Sequence, residues 1–342
     1  MGRTLIIAEA GVNHNGSIKT AKELIKKASE AGADYVKFQT FLADKLVSKE
    51  AEKAAYQSKN TDNDESDSQY QMLKKLELSY NDHYELVDYC NDHNIKFLST
   101  AFDLDSIDFL MKLGLDFYKI PSGEITNRPY LEKVADLGLP VILSTGMSNM
   151  QEVEDAVKVL VDGGITKEKI TVLHCNTEYP TPLKDVNLRA MNTIKEKLGV
   201  EIGYSDHTLG IIVPVSAVSL GAKVIEKHFT LDKNMEGPDH KASLDPEELK
   251  EMVNKIREVE TLLGSDLKAP SPSEKKNIAI ARKSIHISKN LNQGHTLEFN
   301  DLIMKRPGDG ISPMKIDEVL GKKIKRNLAS DYKLSFSDLE ND

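Results

Sequence analysis

The chain has 342 residues, of which 39% are hydrophobic and 29% are charged, and its formal net charge is −9 at pH 7. This length and composition suit one large folded domain with a small second one, and they exclude a largely disordered protein. The negative charge argues against nucleic acid or an anionic membrane surface as a partner, because both need a basic face.

The cysteines and the first residues indicate the compartment. Cys90 and Cys175 are too few and too scattered for a disulfide framework. The apolar run near the N-terminus is only about five residues long, too short for a signal peptide or a membrane helix, and it has the shape of a first strand. We therefore expect a cytoplasmic protein without a membrane segment.

One pattern repeats eight times along the chain: a short apolar run rich in β-branched and aromatic residues, a polar tip, and an amphipathic segment with helical spacing. The predicted strands are residues 5–10, 35–40, 96–100, 117–121, 141–145, 171–175, 201–204 and 223–228. Alternating units of this kind imply an α/β protein with a parallel sheet, and eight of them favour a closed (β/α)8 TIM barrel over an open doubly wound sheet.

A change of composition marks the end of the barrel. After a last predicted barrel helix, residues 265–273 contain two prolines and three serines, which rule out a continuous helix. We divide the chain into a barrel at 1–264, a linker at 265–281 and a small domain of short strands and turns at 282–342.

A second irregular stretch, the acidic segment 49–70, lies between the second predicted strand and its helix. In a barrel this loop overhangs the face where active sites lie, so it is a candidate lid. An acidic loop with no functional role is an alternative that the sequence supports equally well.

Lysines and serines end several of the predicted strands. Lys37 and Lys119 close the second and the fourth, and a lysine that points into a barrel must be paired or bind an anion. The hydroxyls at the same edge belong to Ser122, Ser144 and Ser205. Together these groups predict a cradle for a phosphate or a carboxylate, although hydrogen bonds within a polar layer remain an alternative for the serines.

Carboxylates and imidazoles complete the predicted site. Glu9 and Glu124 lie at the same edge, where each is a candidate base, water-positioning group or hydroxyl clamp. His207 and His228 end two successive apolar runs, and two imidazoles with oxygen donors suit a divalent metal such as Mn²⁺, Zn²⁺, Fe²⁺ or Co²⁺. Glu226 shares a strand face with His228 and is interpreted as orienting a bound hydroxyl or water, or as part of a structural ion pair.

These motifs resemble the sialic acid synthases. The resemblance rests on AEAGVNHNG at 8–16, VKFQT at 36–40, KIPSGE at 119–124, LSTGM at 143–147, LHC at 173–175 with YPTP at 179–182, SDHT at 205–208 and EKHFT at 226–230. In the tail, KRPGDGI at 305–311 is similar to the family's small C-terminal antifreeze-like (SAF) domain. The resemblance covers essentially the whole chain.

The resemblance implies condensation of phosphoenolpyruvate with an N-acetylated, mannose-type sugar in its open-chain form, which gives a nine-carbon 2-keto sugar acid and phosphate. The expected product is N-acetylneuraminate from N-acetylmannosamine. The alternative is N,N'-diacetyllegionaminate from 2,4-diacetamido-2,4,6-trideoxymannose. The resemblance also implies a domain-swapped homodimer and a divalent metal, with Mn²⁺ expected and Mg²⁺ or Co²⁺ as alternatives.

The family pattern also assigns roles to residues of this chain. It implies that the metal ligands are His207 and His228. The phosphoenolpyruvate contacts that it implies are Lys37, Lys119, Ser122, Ser144, Thr177 and Ser205. The candidate sugar contacts that the pattern implies are Glu9, Gln39, Tyr179, Glu226 and Asp239, with Arg306 expected to reach across the dimer. Glu124 is the implied candidate for handling the water that adds at C2. Thr177 stands where some members have Asn, and Ala101 where many have Pro.

Two other functions are compatible with the residues. Lys119 or Lys227 would be a Schiff-base lysine in a lyase that cleaves the same sugars through pyruvate. The antifreeze-like tail, taken by itself, would suggest an ice-binding or adhesion module.

Overall fold

The computed structural model describes residues 2–53, 57–58 and 68–340, and the chain divides into two compact units, Met1–Gly264 and Ser265–Asp342. Much of the candidate lid at 49–70 therefore lies outside the described residues. Among the helices that are described, none is long and apolar enough to cross a membrane.

The first unit is built on eight parallel strands. They are β1 (Leu5–Gly11), β2 (Tyr35–Thr40), β3 (Lys96–Ala101), β4 (Tyr118–Ile120), β5 (Val141–Ser144), β6 (Ile170–Cys175), β7 (Glu201–Asp206) and β8 (Val224–His228). Their hydrogen-bonded order is β3-β2-β1-β8-β7-β6-β5-β4, and the two end strands, β3 and β4, pack against each other. The predicted (β/α)8 barrel is confirmed.

Helices surround the barrel. They are α1 (Ile18–Ala31), α2 (Ala43–Leu46), α3 (Gln69–Leu76), α4 (Tyr80–Asp92), α5 (Leu104–Met111), α6 (Arg128–Ala135), α7 (Met150–Asp162), α8 (Ala190–Leu198), α9 (Ile212–Ser219) and α10 (Pro246–Leu263). Helix α1 shows why they form, because its buried residues recur at helical spacing. These residues are Ala21, Leu24, Ile25, Ala28 and Ala31. Ser17 caps its N-terminus, and Gly32 ends it in a left-handed conformation with φ 83°.

The register of the strands determines how far along the barrel the polar residues lie. Gly203 lets β7 approach its neighbours, because an added Cβ would lie 2.4 Å from the backbone oxygen of Val224. At the C-terminal edge, the Cα register places Glu9 beside both Lys37 and His228. Side chains from three adjacent strands therefore meet at one height in the barrel.

The second unit begins with a helix. Residues Pro272–Ala281 form α11, in part of the segment predicted as a linker, because Pro272 occupies the first turn and Ser271 forms a capping box with Glu274. Beyond it, β9 (Ser284–Ile287) pairs antiparallel with β10 (Leu302–Lys305). Short turns and isolated bridges complete a separate small core, whose fully buried members include Ile285, Ile287, Val319 and Ile324.

Candidate active site

Two lysines and two glutamates form a charge network in the barrel mouth. Lys37 Nζ lies 2.7 Å from Glu9 Oε2 and 3.8 Å from Glu226 Oε2, and Lys119 Nζ lies 3.3 Å from Glu226 Oε1. Each of these residues is at most 4% exposed. Because an unpaired buried charge is costly, each of these four side chains lies beside at least one partner of opposite charge.

Hydrogen bonds extend this network to three neighbours. Lys37 Nζ donates to Thr100 Oγ1 at 3.0 Å, Gln39 Nε2 donates to Glu9 Oε1 at 3.4 Å, and Ser205 Oγ donates to Glu226 Oε1 at 3.1 Å. Gln39 and Ser205 were expected here. Thr100 was not, although it ends a predicted strand and the same strand-end argument applies to it.

The pKa values of the network follow from burial and from charge. Burial raises the pKa of Glu9 to about 7, a rise that Lys37 opposes and Glu226 reinforces. Burial also acts to raise the pKa of Glu226, but Lys119 and Lys37 outweigh it and the net pKa is lowered. Burial lowers the pKa of Lys119, whereas for Lys37 the carboxylates of Glu226 and Glu9 overcome burial and raise it. Glu226 is therefore the fixed negative charge of the site, and Glu9 titrates near neutrality.

Hydroxyl groups line the neighbouring wall. Ser122 Oγ accepts the Gly146 backbone N–H at 3.0 Å and lies 3.2 Å from Cys175 Sγ. A Cβ added to Gly146 would lie only 2.5 Å from Thr177 Cγ2 and 2.9 Å from Ser122 Oγ, so both side chains pack around this glycine. Cys175 has no predicted role in the sequence beyond its place in the LHC motif, although it ends the sixth predicted strand.

Ser144 ends β5 with its side chain 3% exposed. Its Oγ is buried and has no hydrogen-bond partner within residues 2–53, 57–58 and 68–340. A buried hydroxyl without a partner is unfavourable, so this group suits an oxygen of a bound ligand.

The two imidazoles lie side by side, with ring centroids 5.3 Å apart. His207 Nδ1–H donates to the backbone oxygen of Asn176, which leaves Nε2 with a free lone pair. His228 Nδ1 is buried and has no hydrogen-bond partner in the described part of the chain. Burial lowers the pKa of His207 to about 4, and burial followed by the neighbouring His207 holds the pKa of His228 well below its usual range. Both rings are therefore neutral, the form that binds metals.

This arrangement fits an open divalent site. No group of three or more His, Cys, Asp or Glu side chains converges on one point in the part of the chain that the structure describes. A closed structural zinc site is thus not formed there, while two neutral imidazoles with oxygen donors from water or substrate fit an ion such as Mn²⁺. The buried Asp239 lies near them, with Oδ2 3.9 Å from His228 Nδ1, and burial raises its pKa to about 6.

Glycine and tyrosine shape the space beside the imidazoles. The Tyr179 ring lies 4.1 Å from that of His207 and 5.6 Å from that of His228, between centroids. Gly11 faces Glu9, Gln39 and His228, because an added Cβ would meet all three within 3.4 Å. The predicted sugar-contact residues of the first unit therefore surround the histidines.

Glu124 and Arg306, which are also predicted site residues, make their hydrogen bonds away from the charge network. Glu124 lies in a short 3-10 turn after β4, where its Oε2 accepts from Asn127 Nδ2 at 2.6 Å. Burial raises the pKa of this carboxyl. Arg306 belongs to the second unit, where it is exposed and its Nε donates to the Ala281 backbone oxygen at 3.1 Å.

Lys227, one of the two candidate Schiff-base lysines, lies outside the mouth. It alternates with Glu226 and His228 along β8 and so points to the other face of the strand. It is 0% exposed and pairs with Asp206, which leaves only Lys119 for that chemistry.

Comparison with known proteins agrees with the motifs. The NeuB family model matches residues 24–268, and the SAF domain model matches residues 282–340. The N,N'-diacetyllegionaminic acid synthase of Campylobacter jejuni is 53% identical over 97% of this chain and 98% of its own length. A Legionella pneumophila protein of the same name is 51% identical over 98% of this chain and 94% of its own.

A solved structure is similar along most of the chain. The crystal structure of N-acetylneuraminic acid (sialic acid) synthetase from Leptospira borgpetersenii, in complex with citrate, matches with a TM-score of 0.71 and 34% identity. The match covers 81% of this chain and 90% of that one.

Proposed function

This chain belongs to the NeuB family, and we propose that it condenses phosphoenolpyruvate with 2,4-diacetamido-2,4,6-trideoxymannose to give N,N'-diacetyllegionaminate and phosphate. Relatives named for that product are 53% and 51% identical, against 34% for the solved N-acetylneuraminic acid synthetase. Identity therefore favours the alternative sugar over the N-acetylmannosamine expected from the sequence.

The observation that carries the chemistry is the pair of buried lysines. Phosphoenolpyruvate has a phosphate and a carboxylate, and Lys37 and Lys119 place two cations in the mouth with 3% and 2% exposure. Fixed charges of this kind stabilise an anionic ligand and its transition state without reorganisation. The hydroxyls of Ser122, Ser144 and Ser205, with Thr177, would orient the ligand oxygens.

The metal would be held by His207 and His228, and we propose Mn²⁺, with Mg²⁺ or Co²⁺ as alternatives. A bound divalent ion supplies Lewis-acid polarisation of the sugar's aldehyde oxygen. The protein's part is orientation, because the bond from His207 Nδ1–H to Asn176 directs the free nitrogen of the ring. The proposed sugar contacts are Tyr179 and Asp239, which lie beside His207 and His228, and Gln39, which lies beside Gly11 as His228 does.

In the proposed reaction C3 of phosphoenolpyruvate attacks the aldehyde carbon, positive charge develops at C2, and water adds there. Glu124 is the proposed group for positioning this water. The C–O bond to phosphate then breaks, the oxygen of the water remains as the new keto oxygen, and its two protons end on the new hydroxyl and on the phosphate. Glu226 and Glu9 hold the lysines in place throughout.

We also propose that the protein acts as a homodimer in which Arg306 reaches the sugar in its partner's barrel. Within the described part of the chain, the exposed guanidinium of Arg306 makes one hydrogen bond, through Nε to a backbone oxygen of its own unit, which leaves its other nitrogens to contact a ligand.

The test is phosphate release from phosphoenolpyruvate with Mn²⁺, run in parallel with N-acetylmannosamine and 2,4-diacetamido-2,4,6-trideoxymannose, each with a chelator control. Preference for the second sugar is expected. Preference for the first would move the protein to N-acetylneuraminate synthesis with its site unchanged, and release with neither would contradict the condensation itself. Borohydride trapping with pyruvate would reveal a Schiff base at Lys119 instead.

A further inference from the structure

A buried ion pair lies behind the two histidines. Lys227 Nζ is 2.7 Å from Asp206 Oδ2, and both residues are 0% exposed. Asp206 Oδ1 accepts the backbone N–H of Thr208 at 3.0 Å, and Oδ2 accepts the Thr208 hydroxyl at 3.1 Å. Lys227 Nζ also donates to the Thr208 backbone oxygen, so the three residues form a closed ring of polar contacts.

The position of this pair in the sheet is specific. Asp206 and Lys227 are Cα partners in the last registered pair between β7 and β8. A histidine follows each of them in the chain: His207 comes directly after the end of β7, and His228 is the last residue of β8. Because side chains alternate along a strand, the ion pair lies on the face opposite the imidazoles and ties together the two backbones that carry them.

We propose that Asp206 and Lys227 are positioning residues that fix the separation and orientation of His207 and His228. This inference rests on the proposed function, because it takes the two histidines as the metal ligands. A buried ion pair contributes little net stability compared with apolar residues of similar size, so its stabilising effect alone does not explain it. Groups that orient the ligands of a metal commonly change its affinity about 10- to 100-fold when they are removed.

The first test removes the charges without changing the size of the side chains. Asp206→Asn, and the double variant Asp206→Asn with Lys227→Met, are compared with the wild-type protein after removal of metal. Mn²⁺ binding is followed by the electron paramagnetic resonance signal of the free ion and by calorimetry. We expect the Kd for Mn²⁺ to rise about 10- to 100-fold, and kcat to recover when Mn²⁺ is saturating. The double variant leaves no unpaired charge, so the comparison still holds if Asp206→Asn alone fails to fold.

Asp34→Asn is the matched control. Asp34 Oδ2 accepts the Ile6 backbone N–H at 2.9 Å and pairs with Arg257 at 3.0 Å, so this substitution also breaks an ion pair and a backbone contact. It lies at the start of β1 and β2, at the other end of the barrel from the histidines. Its Kd for Mn²⁺ should equal that of the wild-type protein even if its unfolding temperature falls.

His207→Ala separates failure of this inference from failure of the metal assignment. If His207→Ala abolishes Mn²⁺ binding while the Asp206 variants bind as tightly as Asp34→Asn, the positioning role is overturned and the metal site stands. If His207→Ala leaves Mn²⁺ binding unchanged, the metal assignment and the positioning role are both overturned.

Discussion

Lys37→Met is the sharpest test of the charge network, because Lys37 lies within 4 Å of two buried carboxylates. Without it, Glu226 keeps Lys119 and Ser205, but among the residues that the structure describes Glu9 keeps only the long hydrogen bond from Gln39. Removing one partner of a buried pair costs about 3–5 kcal/mol of folding free energy. Since Glu9 titrates near pH 7 and relieves its burial by binding a proton, the loss should be smaller at pH 6 than at pH 8.

The assays are urea unfolding and phosphate release, each on the single variant and on Lys37→Met with Glu9→Gln. We expect the second substitution to restore most of the stability but none of the activity, because the lysine for the substrate anion is still missing. Loss of a transition-state contact between this lysine and the substrate anion that is worth about 3 kcal/mol lowers kcat/KM roughly 100-fold. Lys158→Met, at a side chain 71% exposed, is the control and should change stability by less than about 0.5 kcal/mol. A stable single variant, or activity regained in the double, would refute the reasoning.

Three further predictions follow from the histidines and from the second unit. His207→Ala and His228→Ala should each abolish metal-dependent phosphate release with circular dichroism unchanged, and activity that survives chelation would contradict a metal role. Inactive His207→Ala and Arg306→Ala chains, mixed in equal amounts and allowed to re-pair at random, should recover about a quarter of the wild-type activity. About half of the dimers are then mixed, and each mixed dimer has one intact site out of two. No recovery would argue against action across a dimer. Burial lowers the pKa of His14 to about 4, below its ordinary 6.5, so the unfolded chain binds a proton that the folded chain does not. The free energy of unfolding should therefore fall by up to about 3 kcal/mol as the pH falls from 6.5 to 4. Unfolding measured at pH 7 and at pH 4.5 should show a smaller loss of stability for His14→Asn than for the wild-type protein.

Much of the site was predictable because the C-terminal ends of all eight strands meet at one face of a barrel, so residues near those ends come together. Lys37 and Lys119 lie on predicted strands where alternation turns their side chains inward, and His207 directly follows the end of β7. Thr100 obeys the same rule and was within reach of the same argument. The roles of Thr177 and Asp239 came only from the family resemblance, because neither lies on a strand.

By itself the sequence determined the eight βα units, the small second domain and the strand ends that carry chemistry, since periodicity and breakers are local properties. Only the tertiary structure decided which charged side chains form ion pairs with each other. Lys37 and Lys227 are both lysines near the end of a strand, yet one faces Glu9 in the mouth and the other faces Asp206 behind it. The reason is physical: a contact between residues far apart in the chain depends on strand register and on closure of the sheet, and no local pattern records either one.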